Sequence, residues 1–446
     1  MAYTSAIFWP FLALVLAGVA LLPRRFRLAW LIAVSLWFYG TGDPIRLLWL
    51  GGIAALALAA AGGTRLWRGV GIAALLELLV WAKFADTLGL PDPDAPPGLS
   101  FLVLTAIALV ADSAGPGAAG GIAGRVLHLA WFPKLLAGPI ERAGHLIPQF
   151  PQIALRPGLA RLGLALLISG LVKKLVIADA LAPVVDAAYG VPAYATPVDL
   201  LVASYFFAFQ IYCDFSGYTD IALGLSALVG LRLSRNFAHP YFSPTVGEFW
   251  SSRWHITLGH WFRDYVYIPL GGSRHGRARQ AANVMAVFLL SGLWHAGLGY
   301  GVGWGFVVWG ALNGLFVIAE LWLPAPQGRT SRLLRGLLTF HLILLTWVFF
   351  RAATPAEALV ILGRIAGALP DLPHLLPAYP FSAEQQLGAV PILGLLAAGI
   401  LTGRIPLAER IAAAPLPLRW GGLYAGLAAL LLMGRWQATG FIYAGF

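Results

Sequence analysis

The sequence predicts an all-α, polytopic membrane protein with roughly eleven to thirteen transmembrane or re-entrant helices. Three observations carry that expectation. Only 11% of the 446 residues are charged and 59% are hydrophobic, whereas a soluble domain carries about 25% charged residues. The mean hydropathy is +0.78, and the shortage of charge runs along the whole length, which excludes a soluble domain on a single anchor. Apolar runs of about 15–20 residues recur from end to end, the length a helix needs to cross a bilayer. The length is compatible with one integral-membrane domain over 1–446.

The runs fall near 5–22, 28–40, 45–61, 70–88, 99–113, 122–137, 159–181, 198–231, 281–300, 302–323, 334–352, 388–402 and 420–436. The first, Ala6 to Leu22, lacks a basic leader and a small-residue cleavage site ahead of a soluble domain, so it reads as a spanning helix rather than a signal peptide. The run 28–40 is short for a full span, and 198–231 reads as a broken or double segment. Arg24, Arg25 and Arg27 follow the first run, and Arg65 and Arg68 follow the third. The loop 86–98 holds three Asp and no Lys or Arg. Basic loops stay in the cytoplasm, so the N-terminus and the 86–98 loop are expected outside. Arg274, Arg277 and Arg279, then Arg329, Arg332 and Arg335, then Arg404, Arg410 and Arg419 are expected inside, and the stretch 369–384 outside.

The net charge of +11 would suit nucleic acid, but in a many-span chain Lys and Arg gather in loops for topological reasons, so no nucleic-acid partner is expected. Cys213 is the sole cysteine, which excludes an intrachain disulfide. No internal repeat is visible, which weakens an inverted-repeat transporter. The histidines at 239, 255, 260, 275 and 295 do not fall at HxxxH or HExxH intervals, so no metal site is expected. No GxSxG nucleophile elbow is present.

The stretch Glu248 to Arg274, EFWSSRWHITLGHWFRDYVYIPLGGSR, is dense in both charge and aromatics. Arg253, Arg263 and Arg274 could pair with phosphate through their guanidinium forks, or serve as topological charges. His255 lies among interfacial Trp and Arg, where a headgroup-anchoring role is equally open. About 20 residues further on, an apolar run carries LSGLWH, ending at His295, followed by glycine-rich AGLGYGVGWG. Ionisable side chains inside apolar runs are costly and point to function. A neutral imidazole there can take a proton from a hydroxyl; a histidine bonded to a nearby carbonyl is the plainer reading. The segment 210–230 sets Gln210, Asp214, Ser216, Tyr218 and Asp220 in apolar sequence. Gln210, Asp214 and Tyr218 are four apart and share a face on a continuous helix. Lys173 and Lys174 are candidate partners for the carboxylates.

Taken in order, WFPKLLAGPIER (131–142), GLVKKLVIADALAPVVDAAY (170–189), QIYCDFSGYTDIALGL (210–225), NFAHPYFSPTVGEFW (236–250), RWHITLGHWFRDYVYIPLGG (253–272), LSGLWH (290–295), WVFFRA (347–352) and FIY (441–443) resemble the membrane-bound O-acyltransferase (MBOAT) family. RDYVYIPLGG is similar to the bacterial alginate O-acetyltransferase (AlgI-type) branch, with the teichoic-acid D-alanyl transferase (DltB-type) branch more distant. The chain departs from the family pattern at Ala296, in the extra residue of FWSSRWH, in a longer segment after His295 and in its closing residues.

The resemblance implies helices around a central funnel, with His295 as the catalytic histidine and His255 as a second functional histidine toward the cytoplasmic side. It implies an acetyl group moved from a cytoplasmic thioester, acetyl-CoA, to an external acceptor for exopolysaccharide O-acetylation. No permanently bound cofactor is expected. The basic face at Arg253, Arg263 and Arg274 would attract the anionic donor. Asp214, Ser216, Tyr218 and Trp294 would be substrate-facing or structural. The implied partners are a periplasmic acetyltransferase or relay protein and a polysaccharide, and the implied place is the bacterial inner membrane. D-alanyl transfer from a charged carrier protein, and a transporter or channel using Asp214, Asp220 and His295 as a path, are the alternatives.

Overall fold

The structure is a computed structural model that describes all residues except 1–2, 116–120, 298–302, 404, 437–440 and 443–446. Its longer helices are α1 (Phe8–Leu21), α2 (Arg24–Gly40), α3 (Ile45–Ala61), α4 (Arg65–Leu88), α5 (Leu99–Asp112), α6 (Ile122–Ala130), α7 (Pro157–Leu171), α8 (Asp179–Gly190), α9 (Pro197–Leu228), α10 (Gly276–His295), α11 (Trp304–Glu320), α12 (Gly328–Arg351), α13 (Pro355–Ala368), α14 (Ala383–Thr402) and α15 (Leu416–Met433). Among the described residues there is no strand. That is what lipid demands, since a helix satisfies its own backbone groups without water. Five segments, Pro197–Leu228, Gly328–Arg351, Pro355–Ala378, Ala383–Thr402 and Leu416–Met433, are long and apolar enough to cross a membrane; α1, α3, α5 and α11 are shorter apolar helices.

Helix ends follow local chemistry. Thr64 caps α4 by accepting from Trp67 N, and Gly89 ends it in the left-handed conformation. Thr354 caps α13 with Pro355 behind it, and Ser382 with Gln385 forms a capping box on α14.

The chain forms two compact units: 1–172, 215–235 and 408–446, and 173–214 with 236–407. In the first unit α3, α4 and α5 pack together and α2 packs on α6. Gly163 and Gly170 of α7 meet the carbonyls of Gly224 and Gly217 of α9 so closely that a methyl at either would sit 2.8 or 2.5 Å from an oxygen. Trp131 donates to Ser226 Oγ at 2.9 Å. Tyr3 and Tyr218 hydroxyls lie 3.1 Å apart, and each reaches the carbonyl of Pro133. In the second unit α10 packs on α11, α11 on α12, and α8 on α14.

Three expectations change. The run 198–231 is one continuous 32-residue helix, α9. Its polar residues do not break it, because they find partners: Asp214 takes Lys174 Nζ at 2.7 Å within the second unit, and Asp220 takes Ser169 Oγ at 3.1 Å within the first. The run 122–137 stops as a helix at Ala130, and Phe132–Leu135 forms a separate turn with Pro133 in its opening. Proline lacks the N–H that a continuing helix would use. The run 159–181 passes from α7 into a π-helical turn, Val172–Ala178, before α8. Helix α13, 355–368, was not expected: Arg364 interrupts its apolar run. That guanidinium is satisfied by the carbonyls of Ala193 and Ala195 at 2.8 and 2.7 Å.

Candidate active site

The aromatic, basic stretch is folded by a few polar anchors. Thr245 accepts from Glu248 N at 3.0 Å and starts a helical turn. The carboxylate of Glu320, at the end of α11, accepts from Val246 N at 2.7 Å and Gly247 N at 2.8 Å. This pins the start of the stretch to α11. Arg253 places Nε and Nη2 on Glu248 Oε1, at 2.8 and 2.6 Å, and Nη1 on the carbonyl of His239 at 3.2 Å. Its guanidinium therefore braces the loop.

His255 follows, buried at 3% exposure, with φ +43° and ψ +52°. That left-handed conformation is uncommon for a residue with a side chain. Asn236 holds it there. Its Oδ1 accepts from Thr257 N at 3.2 Å, from Thr257 Oγ1 at 2.9 Å and from His255 Nδ1 at 3.1 Å. Its own carbonyl accepts from Ile256 N at 3.0 Å. Because a backbone N–H can only donate, the shared atom is the amide oxygen, so His255 carries its proton on Nδ1. His255 lies outside the spanning helices, just before the short helix Ile256–Phe262. Burial, reinforced by neighbouring His295, holds it well below the usual histidine range and keeps it neutral.

His295 is the last residue of α10 and is 3% exposed. Its Nδ1 lies 2.7 Å from the carbonyl of Ser291, one turn earlier. A carbonyl accepts, so Nδ1 is the donor. The imidazole packs among rings: Trp294 at 4.7 Å between centroids, Trp309 at 5.2 Å, Phe350 at 5.4 Å and Phe306 at 6.3 Å. Trp294 also touches His255, at 6.4 Å. Behind them, Trp250, Trp254, Trp309 and Trp347 form a continuous indole cluster. Asn313, fully buried, accepts from Trp250 Nε1 at 2.9 Å and donates to the carbonyl of Trp309 at 2.8 Å.

Thus His255, Trp294 and His295 come together. The other expected residues lie elsewhere. Arg263 is half exposed and ion-paired with Asp264 at 2.8 Å. Arg274 donates to the carbonyls of Gly271 and Ile268 and, with His275 and Arg279, walls a cavity of 610 Å³. Asp214 is buried on Lys174, which also meets Asp179 at 2.9 Å. Tyr218 is tied to Tyr3 and Pro133 in the first unit. Ser216 is buried there too, and its hydroxyl has no hydrogen-bond partner among the described residues. The long segment after His295 falls largely at 298–302, outside the described residues, as do Arg404 and Tyr443 of the closing FIY. Sequence reading missed Asn236, Asn313 and Glu320. Asn236 alone left a trace, as the polar residue opening NFAHPYF.

His295 is thus a buried histidine at the end of a helix, its Nδ1 on a backbone carbonyl and its ring among aromatic side chains. The family model described as "MBOAT, membrane-bound O-acyltransferase family" matches residues 125–350. The probable alginate O-acetylase AlgI of Azotobacter vinelandii is 33% identical over 386 residues, covering 79% of this chain and 75% of the relative. The peptidoglycan O-acetyltransferase of Helicobacter pylori is 36% identical over 249 residues, 54% of this chain and 46% of the relative. The teichoic acid D-alanyltransferase of Bacillus subtilis is 25% identical over 314 residues, 63% of this chain and 76% of the relative. The chain belongs to the membrane-bound O-acyltransferase family. It is a multi-pass membrane protein and an O-acyltransferase.

Proposed function

We propose that this protein is an O-acetyltransferase of a bacterial inner membrane, moving acetyl from a cytoplasmic thioester, acetyl-CoA, to an external hydroxyl for polysaccharide O-acetylation. The acceptor is a polysaccharide reached directly or through a periplasmic relay protein. What supports this reading is the family match and the burial of His295 among aromatic rings beside Trp294 and His255; a purely structural histidine would also make the bond from its Nδ1 to the carbonyl of Ser291 at 2.7 Å. That bond fixes the ring and leaves Nε2 as the base in a dry, aromatic setting, where a proton can be taken from a hydroxyl. The greater similarity to the alginate O-acetylase, 33% against 25% for the D-alanyltransferase, favours acetyl over D-alanyl transfer.

In this mechanism His295 Nε2 accepts the acceptor's proton as its oxygen attacks the thioester carbonyl carbon. The imidazolium then returns the proton to the departing thiolate. His255, held neutral with its proton on Nδ1, supports the site through Trp294. Arg274, beside the 610 Å³ cavity, and exposed Arg263 draw in the anionic donor. Arg253, already bonded to Glu248, contributes field rather than direct contact. The test is His295→Ala in membranes supplied with acetyl-CoA. Acetylation is expected to vanish while the protein still inserts; retained acetylation refutes the assignment. Supplying a D-alanyl-charged carrier instead separates the two acyl donors.

A further inference from the structure

We infer that Trp309 is a catalytic residue of the acyl transfer, its indole N–H stabilising the oxyanion that forms beside His295. This rests on the proposed thioester chemistry. Trp309 is 2% exposed and packs edge-to-face on the His295 ring, 5.2 Å between centroids at 67°. Its Nε1 is buried and has no hydrogen-bond partner among the described residues. Buried N–H groups are normally paired, and one left without an acceptor destabilises a fold.

The contrast with its neighbour sharpens the point. Trp250 packs on Trp309 at 5.2 Å, and its N–H is met by a fully buried Asn313 at 2.9 Å. The same Asn313 reaches Trp309 only through the backbone carbonyl, at 2.8 Å. Among the described residues the buried N–H groups of Trp309 and Trp347 both lack an acceptor, and of these two it is Trp309 whose ring packs on the His295 imidazole. A donor in that position suits an acceptor that exists only when substrate is bound.

Trp309 packs its ring on the imidazole that would take the proton, and we place its N–H on the carbonyl oxygen of an acyl group bound there. The donor supplies that acyl group. As the hydroxyl oxygen of the acceptor bonds to the carbonyl carbon, its proton passes to His295 Nε2 and the C=O π pair moves onto the carbonyl oxygen. The Trp309 N–H holds that negative charge. Collapse reforms C=O and breaks the C–S bond, and the thiolate takes the proton back from His295 as the free thiol. A preorganised donor in a water-excluded site is where this kind of stabilisation is strongest.

The test uses the full-length protein in lipid nanodiscs with 1-¹³C-acetyl-CoA as probe and a soluble oligosaccharide as hydroxyl acceptor. Trp309 is replaced by 3-benzothienylalanine, in which sulfur stands for the ring N–H at nearly the same size; Trp309→Phe is a second variant. Infrared difference spectra read the bound carbonyl, and thiol release reads the rate. In the unaltered protein the bound carbonyl band is expected below its position in free acetyl-CoA. In both variants it returns toward the free position, and thiol release slows by about 100-fold, more than donor affinity falls. A benzothienyl variant whose carbonyl band and rate match the unaltered protein overturns the role of Trp309 and leaves the thioester reading standing. If the unaltered protein binds no acetyl-CoA and releases no thiol, the thioester reading falls, and this role falls with it.

Discussion

The placement of His295 against Trp309 depends on a glycine. Gly292 of α10 faces α11 so closely that a methyl there would lie 2.5 Å from the carbonyl oxygen of Phe306, 3.2 Å from its carbon and 3.3 Å from Val307 Cα. The obstacle is backbone, so no side chain can rotate away. Ordinary contact begins near 3.4 Å, so Gly292→Ala drives the start of α11 back by about 0.9 Å. Overpacking of this kind costs about 1–3 kcal/mol of stability. The sharper effect is on chemistry, because Phe306 and Trp309 both ride on the displaced helix against His295. A misplacement of about 1 Å in a reacting constellation can cost about 100-fold in rate. We therefore expect Gly292→Ala to insert and fold, to unfold at a lower temperature, and to lose acetyl transfer by about 30- to 100-fold. The assay is acetyl transfer per folded molecule in reconstituted membranes, alongside thermal unfolding. Gly394→Ala on α14, where a methyl meets nothing within 4 Å, makes the same chemical change in open space. It should keep full activity and gain up to about 1 kcal/mol in helix propensity. A Gly292→Ala protein with an unaltered rate would refute the claim that close approach of α10 and α11 sets the site.

Other consequences follow from the polar anchors. Asn236→Leu removes the acceptor for His255 Nδ1, Thr257 N and Thr257 Oγ1, three buried donors worth about 1–3 kcal/mol each when stranded. Loss of the amide's own unpaired Nδ2 offsets part of this, so about 2–6 kcal/mol of stability should disappear, with activity, in unfolding and transfer assays. Lys174→Met strands the buried carboxylates of Asp214 and Asp179 and should destabilise the second unit by about 3–5 kcal/mol, read by thermal unfolding. Because His255 is held below its ordinary range, its stabilisation is present above the unfolded value near 6.5 and is lost as pH falls. Unfolding stability should drop by about 1.4 kcal/mol per pH unit below about 6.5, and His255→Gln should flatten that acid limb.

Local signals were the legible part. RWHITL and LSGLWH, the two histidine stretches singled out in the sequence, meet through Trp294, and α3 at 45–61 follows from an uninterrupted apolar run. What escaped depends on partners distant in sequence. Lys174 was a candidate partner for Asp214 and is its partner, but the continuity of the helix that carries Asp214 was not legible, nor was helix α13, whose Arg364 is received by the carbonyls of Ala193 and Ala195. Arg253 reads as a phosphate ligand by type, yet Glu248, five residues away, occupies its fork. Asn313 and Glu320 stood in no motif, and Asn236 only opened NFAHPYF; each matters through groups distant in sequence that it meets in the fold.

The buried Lys174–Asp214 pair also has a consequence for how the chain is made. The two residues are 40 apart, on either side of α8, and both are almost wholly sequestered. A lone ionised side chain at the centre of a nascent helix costs about 2.5–3.5 kcal/mol to leave the insertion machinery for lipid. Lys174 already has Asp179, five residues on, at 2.9 Å, so it is the long helix bearing Asp214 that cannot be released cheaply without Lys174 beside it. Lys174→Met should therefore leave that helix held at the translocation pore.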